Sequence, residues 1–347
     1  MDAKYFPESE LIINPDGSAF HIHIRPDQLC DKIILVGDPG RVDLVASYFD
    51  EKTFEVSSRE FHTIGGVYKG KKIMCISHGI GTDNIDIVVN ELDALANIDF
   101  DTRLEKNEHR TLNMVRVGTC GGLQHHVPIG THVIAEKSIG FDGVLNFYAG
   151  RNEVCDLAFE ESFCQSVGWN PLWARPYVID NDADLINRID QGDMVRGVTI
   201  SANGFYGPQG RELRIPLADP DLNRKIQDFK HDRFVVTNYE MESSALAGLA
   251  TLLGHKEGVE AIKRVVRRAS ELKIENLTFF CFSTENFDRS KEEVEYLFNL
   301  FREIKNTFAE ECWAILKRIL NCFIDHKNLK SIKNGQLKKT PSYGICT

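Results

Sequence analysis

No apolar run in the sequence is long enough to cross a bilayer as a helix, so no membrane span and no membrane partner is expected. The opening MDAKYFPESE lacks a basic n-region and an apolar stretch, which argues against a secretory signal. None of the nine cysteines stands in a C-x-x-C pair. Their odd number fits reduced thiols in the cytoplasm better than a disulfide frame. No Cys/His cluster has ligand spacing, so a metal site is not expected. There is no G-x-G-x-x-G, and with it goes the dinucleotide fingerprint. Basic residues are also short: 41 Lys and Arg face 51 Asp and Glu, a net charge of -10. A duplex binder needs a cationic face, so nucleic acid is a poor partner. A small anion held by a few local arginines stays open.

Strand-like and helix-like segments alternate over residues 32–253. KIILVGD (32–38) is an apolar run ending in a turn, and RVDLVASYF (41–49) has helical spacing. KKIMCISHGIG (71–81) and NMVRVGTCGG (113–122) repeat the strand-then-glycine plan. RGVTIS (196–201) runs into a loop, and VVTNYE (235–240) into a buried helix. Such alternation predicts an α/β fold with a parallel or mixed sheet. Ligands of such folds sit at the carboxyl ends of strands, where these glycine turns fall.

Residues 257–347 read differently. EGVEAIKRVVRRASELK (257–273) has the pattern of a basic amphipathic helix, and NLTFFCFS (276–283) that of one strand. Ser290 and Glu293 form a capping box. It opens a long apolar stripe that includes Val294, Phe301, Ile315, Ile319 and Phe323 and must be buried against something. The last 22 residues hold five lysines and no acid, a composition that predicts disorder.

Several residues could carry chemistry. In VGDPGR, Gly37 follows a strand and Arg41 opens a helix, where backbone N–H groups favour an anion. Arg116 lies inside the apolar strand VRVG, with Thr119 in the next turn. A buried guanidinium needs an anionic partner, either a structural carboxylate or a bound oxyanion. Arg59 in SSREF reads as an exposed strand charge. GFYGPQGR places an aromatic ring, an amide and a guanidinium together: Phe205, Gln209 and Arg211. Gln209 can donate and accept and Arg211 only donates, which suits a heterocycle edge with carbonyl oxygens and a ring N–H. In NYEMES, Glu240 and Glu242 are two apart, so on a strand only one can face a shared pocket. Glu242 is the one expected there, as an acceptor for vicinal hydroxyls. The alternative is that both acids cap the following helix.

Residues of about 12–253 resemble the nucleoside phosphorylase family, and uridine phosphorylases in particular. The resemblance rests on FHIHI, VGDPGRV, SSREF, SHGIG, VRVGTCGG, GFYGPQGR and NYEMES, in that order. It implies a three-layer α/β/α fold around a distorted mixed barrel. It implies phosphate held by Gly37, Arg41, Arg116 and Thr119, with Arg59 reaching a neighbouring subunit's phosphate. Gln209 and Arg211 would hold uracil, with Phe205 against the ring. Met241 and Glu242 would hold ribose, and His21 would reach the sugar across a dimer interface. Glu60 would line a monovalent-cation site. The implied reaction is phosphorolysis of uridine to uracil and ribose 1-phosphate in pyrimidine salvage. It needs no organic cofactor, Arg116, Gln209 and Arg211 carry the catalysis, and the assembly is a homodimer or homohexamer with shared sites. Hydrolysis by a nucleosidase is the competing chemistry.

From Gly254 the sequence is instead similar to the cis-prenyltransferases, through GHKEGV and FSTENFDR. The aspartate-bearing segment that precedes GH in that family is absent, so prenyl transfer is not expected. The division this implies is a phosphorylase domain over 1–253 that lacks its last core strand and helix. A partial prenyltransferase-like segment follows over 254–303, then a helical extension and tail over 304–347. A foreign helical segment would then stand where the closing elements belong, and an inert or misfolded chimera becomes an alternative to an enzyme.

Overall fold

The structure, a computed structural model, describes residues 3–128, 130–262 and 315–323. The apolar run at the start forms β1 (Lys32–Val36), and α1 (Pro39–Ala46) follows at once. Asp38 caps α1 by accepting the Gly40 N–H at 2.9 Å, and Pro39 sits in the first turn, where its missing N–H is no loss. An antiparallel meander follows: β2 (Glu51–Ser58), β3 (Phe61–Tyr68) and β4 (Lys71–Ser77). After α2 (Thr82–Asn97), the short β5 (Ile98–Asp99) and β6 (Leu104–Glu105) pair with each other. Next come β7 (Asn113–Gly118), β8 (Gly121–Gly122) and β9 (His132–Gly140). The single turn α3 (Arg151–Val154) leads to α4 (Leu157–Val167), β10 (Tyr177–Asp180), α5 (Ala183–Ile189) and β11 (Val195–Ser201). The last run is α6 (Leu222–Asp228), β12 (Lys230–His231), β13 (Phe234–Glu240), α7 (Ser243–Leu252) and β14 (Lys256–Ile262). Residues 315–322 form a further helix, α8.

The main sheet runs β12-β13-β11-β9-β14-β7-β1-β4-β3-β2. It is two parallel blocks, β13-β11-β9 and β14-β7-β1-β4, joined antiparallel at β9 and β14. Beyond β7 the chain turns back and β8 pairs with β13, Gly121 opposite Tyr239. That pairing brings the carboxyl end of β7 to the carboxyl end of β13 and closes the curled sheet into a distorted barrel.

Alternation along the central strands builds a layer on each face. Ile33, Leu35, Met74 and Met114 pack with α2 and α7, together with Ile22 and Ile24 of the N-terminal segment. Ile34, Val36, Cys75 and Val115 point the other way, into a cluster with α1, α5 and α8. This is the α/β/α arrangement that the sequence implies.

The sequence reading fails at the seam. It expects no core strand after Leu253 and a helix over 257–273. Residues 256–262 are instead β14, in register with six residues of β7 from Asn113 to Gly118. The helical charge pattern loses because the slot between β7 and β9 offers backbone partners on both sides. Gly258 packs beneath α5, where a Cβ would come into ordinary contact with the Leu185 Cβ at 3.4 Å. Glu257 suits the slot badly, since the carboxylate is buried. The strand expected over 276–283, the capping box and the basic tail lie outside the described residues.

Part of the apolar stripe is described. Ile315, Leu316, Ile319, Leu320 and Phe323 are buried against the α1/α5 face, so α8 covers sheet that would otherwise be bare. Arg318 clamps the helix from outside, its two Nη atoms each 2.8 Å from a carboxylate oxygen of Asp193. Ile319→Ala is expected to destabilise the protein by about 2–4 kcal/mol in a urea melt. A helix resting loosely on the surface would lose less than about 0.5 kcal/mol.

Candidate active site

The closure of β8 onto β13 leaves a cavity of about 760 Å³ at the strand ends. Four turns and one loop wall it, the turn after β4 contributing Gly79 and Ile80. The β1–α1 turn supplies Gly37, Asp38, Pro39 and Arg41. The end of β7 and the turn after it supply Arg116, Thr119, Cys120 and Gly121. The end of β13 supplies Tyr239, Glu240, Met241 and Glu242, and the loop after β11 supplies Phe205, Gln209 and Arg211. Gly37, Arg41, Arg116, Thr119, Phe205, Gln209, Arg211, Met241 and Glu242, each singled out in the sequence, therefore line one space.

Arg116 is the electrostatic centre. Its side chain is 5% exposed, and both glutamates of NYEMES reach it. Nη2 bonds the Glu242 carboxylate, and Nη1 lies 3.1 Å from Glu240 Oε2. Nη1 makes no formed hydrogen bond there, but the carboxylate stands within ion-pair distance. Nε lies 3.3 Å from His78 Nε2. Gly118 makes room for the group: a Cβ there would stand 2.5 Å from Arg116 Nη1 and 2.8 Å from Cζ. Gly118→Ala is expected to push the guanidinium off both carboxylates and lower turnover by roughly 10²-fold, as a displaced electrostatic donor does. A melt close to the parent's would show that the effect is local.

The prediction that only one glutamate can face the pocket is wrong. The strand ends at Glu240, and Glu242 stands just outside α7 with φ -142° and ψ -26°, so strand alternation does not apply between them. The two acids differ in duty. Glu240 caps α7, accepting from Ser243 N at 3.0 Å, Ser243 Oγ at 2.6 Å and Ser201 Oγ at 2.5 Å. Glu242 instead accepts the Gly81 N–H at 2.9 Å, across from the SHGIG turn. Burial raises the Glu242 carboxyl above the usual range; the Arg116 charge opposes this and Glu240 adds to it.

The loop residues form their own unit. Arg211 Nη1 donates to Gln209 Oε1 and to the Phe205 carbonyl, each at 2.6 Å. The Arg211 guanidinium lies over the Phe205 ring, 4.0 Å from its centroid. Phe205 is 51% exposed, so its ring forms an open wall. Asn223 donates to the Gln209 carbonyl at 3.0 Å and accepts from the Tyr239 hydroxyl at 3.1 Å, tying the loop to β13. Sequence reasoning missed Asn223, Tyr239 and His78. Tyr239 and His78 sit inside motifs already singled out, whereas no local signal marks Asn223.

Three residues fall outside the cavity lining. His21 Nδ1 is 2.5 Å from Glu91 Oε1, and the same carboxylate accepts the His21 and Ile22 N–H groups. Arg59 is exposed in the β2–β3 turn with φ 54°. Glu60 follows it, close beneath Gly79. Among the described residues one group of possible metal ligands converges, Asp43, Glu55 and His62, and it also lies outside the cavity. Its members come from α1, β2 and β3, so sequence spacing could not reveal it.

A model of the phosphorylase superfamily matches residues 31–319, and the chain belongs to that family. The match runs through Gly254 and into α8; no prenyltransferase segment is shown. Within the superfamily the chain is a nucleoside phosphorylase, an enzyme of the pentosyltransferase class. It is 26% identical to the uridine phosphorylase of Thermococcus kodakarensis over 253 residues, 73% of this chain and 79% of that protein. It is 28% identical to the uridine phosphorylase of Haemophilus influenzae over 265 residues, 74% of this chain and 89% of that protein. A solved Trypanosoma brucei nucleoside phosphorylase, described as showing uridine phosphorylase activity, superposes with a TM-score of 0.71 at 25% identity, covering 90% of this chain and 99% of the other.

Proposed function

We propose that this chain cleaves uridine with inorganic phosphate, giving uracil and ribose 1-phosphate. The observation that carries the reading is the convergence of two guanidiniums, Arg41 and Arg116, on one cavity wall with Thr119 and the Gly37 turn. Guanidiniums only donate, and two of them beside a glycine turn suit an oxyanion. Water needs no such cationic cradle, so hydrolysis is the weaker reading.

The other end of the cavity suits a pyrimidine. Gln209 keeps an amide N–H₂ and one lone pair beside the Arg211 donors, which matches two ring carbonyls and the N–H between them. Phosphate attacks C1′ as the C1′–N1 bond breaks, and the bond electrons leave on the uracil. Arg211 and Gln209 stabilise that charge, and a proton from phosphate or water then neutralises it. A good preorganised donor contributes on the order of 3 kcal/mol to such a step. Glu242 would accept the ribose hydroxyls beside Met241, and the arginines would hold phosphate in line, replacing a chance encounter by positioning. No organic cofactor enters this chemistry.

His21 and Arg59 belong to this reading as residues offered to a neighbouring subunit, which is why they stand away from their own chain's cavity. An assembly of two or more copies is proposed on that ground, and Glu60 is kept as a contact for a monovalent cation.

The test is uridine absorbance followed with and without phosphate, beside inosine as a purine control. Phosphate-dependent loss of uridine is the expected result. Base release without phosphate would establish the hydrolytic reading. Absence of turnover in a chain that melts without cooperativity would establish the inert chimera.

A further inference from the structure

His78 ends the strand–turn SHGIG and is fully buried, at 0% exposure. The reaction above gives it no part. Its Nε2 lies 3.3 Å from Arg116 Nε. A guanidinium can only donate, so His78 Nε2 is the acceptor and the ring is neutral, with its proton on Nδ1. The electrostatics agree. Burial, then the charges of Arg116 and Arg41, hold the imidazole well below its ordinary value, with the Gly79 backbone opposing. The ring also packs under the phosphate-side turn: its Cε1 would lie 3.9 Å from a Cβ on Gly37.

The three nitrogens of Arg116 thus have three different neighbours. Nη2 is taken by Glu242, Nη1 faces Glu240 at 3.1 Å without a formed hydrogen bond, and Nε is held by the ring. Glu242 is the group that a ribose would engage, so its grip on Nη2 weakens when substrate binds. The Nε contact survives, beside the ion pair of Nη1 with Glu240. It fixes the plane of the fork, and therefore the direction in which Nη1 points.

We infer that His78 is a positioning residue for the oxyanion, its neutral Nε2 holding Arg116 Nε and so setting the plane of the guanidinium that walls the cavity. The inference rests on the phosphorolytic reading only for naming the anion as phosphate.

Two measurements test it. Phosphate alone is titrated against the purified chain, with thermal stabilisation as the readout. Initial rates are then measured with phosphate and uridine varied in turn. His78→Ala is expected to weaken phosphate, in both the binding constant and KM, by about 10-fold or more, the size of a lost hydrogen bond to a charged group. The uridine KM should move less than about threefold on the same scale. His78→Gln, whose amide oxygen can accept from Nε, should recover most of the phosphate affinity, and His78→Leu should not. Gln and Leu variants that melt alike yet differ in phosphate binding separate positioning from packing. Unchanged phosphate affinity in His78→Ala would overturn the inference. So would equal losses for phosphate and uridine, or a Gln variant no better than Leu. Uridine cleavage that ignores phosphate would defeat the phosphorolytic reading itself. The binding titration would still judge His78, because it needs no turnover.

Discussion

Arg116→Ala is expected to reduce phosphate-dependent uridine cleavage by at least roughly 10³-fold, at the upper end for a single preorganised donor. The substitution removes a guanidinium from the cavity wall, and it also strips Glu240 and Glu242 of their counter-charge. Breaking a buried pair by deleting one partner costs about 3–5 kcal/mol of stability. Part of that is recovered here, because the Glu242 carboxyl is already raised and takes up a proton readily. A melt lowered by several degrees is therefore expected together with the kinetic loss. Arg116→Lys separates the two effects. It keeps a charge for the carboxylates but not the planar fork, so stability should return before turnover does. Full activity in Arg116→Ala would remove the basis for the phosphate assignment.

Much of this cavity could be read in advance because its parts lie at strand ends. A glycine turn after an apolar run, as at Val36-Gly37 and Gly118-Thr119, marks a carboxyl end from local residue types alone. The strand-to-helix passage through NYEMES is equally local, and β13 and α7 formed where the pattern placed them. What could not be read is what the closure of the barrel decides. The pairing of Gly121 with Tyr239 brings Arg116 to Glu240 and Glu242, a relation across more than one hundred residues. Strand alternation separated the two acids, but it applies only while the strand lasts, and the chain leaves extended geometry at Glu242. The glycines of SHGIG carry the local signal, and His78 beside them carries none of its own. Only the fold shows that the ring beside them touches Arg116.

The seam shows how local pattern and sheet pairing compete. Residues 257–273 carry helical periodicity, and as an isolated peptide that pattern would govern. In the chain, a slot between two strands outweighs it over 257–262. The family match across the same residues agrees with a sheet that continues through Gly254. The sequence that fills the slot is not well suited to it. Its side chains were not all apolar, and the buried carboxylate at 257 is the residue that records the mismatch.

Replacing that residue should strengthen the protein. Glu257 is 2% exposed, and neither carboxylate oxygen has a hydrogen-bond partner among the described residues. Burial, then the charge of Asp182, push its carboxyl well above the glutamate range. The nearby Asp182 N–H, which bonds the Glu257 backbone carbonyl at 3.3 Å rather than the carboxylate, opposes this, and the Glu240 charge adds to it. In the unfolded chain the group titrates near 4.5. Between that value and the raised folded one, the folded state holds one proton more than the unfolded state. Stability is therefore complete below the unfolded value, falls as pH rises through the window, and levels off above it. Glu242 and other raised carboxyls add to the same slope, so the decisive quantity is the difference between parent and variant. Glu257→Leu should remove this part of the slope and gain about 1–3 kcal/mol at neutral pH, the desolvation penalty of one unpaired polar group. The measurement is a set of urea melts between acid and neutral pH. Parallel curves for parent and variant would mean that the carboxylate stays in water. Residues 256–262 would then not lie between β7 and β9, because an exposed glutamate on a surface helix changes stability by less than about 0.5 kcal/mol when replaced.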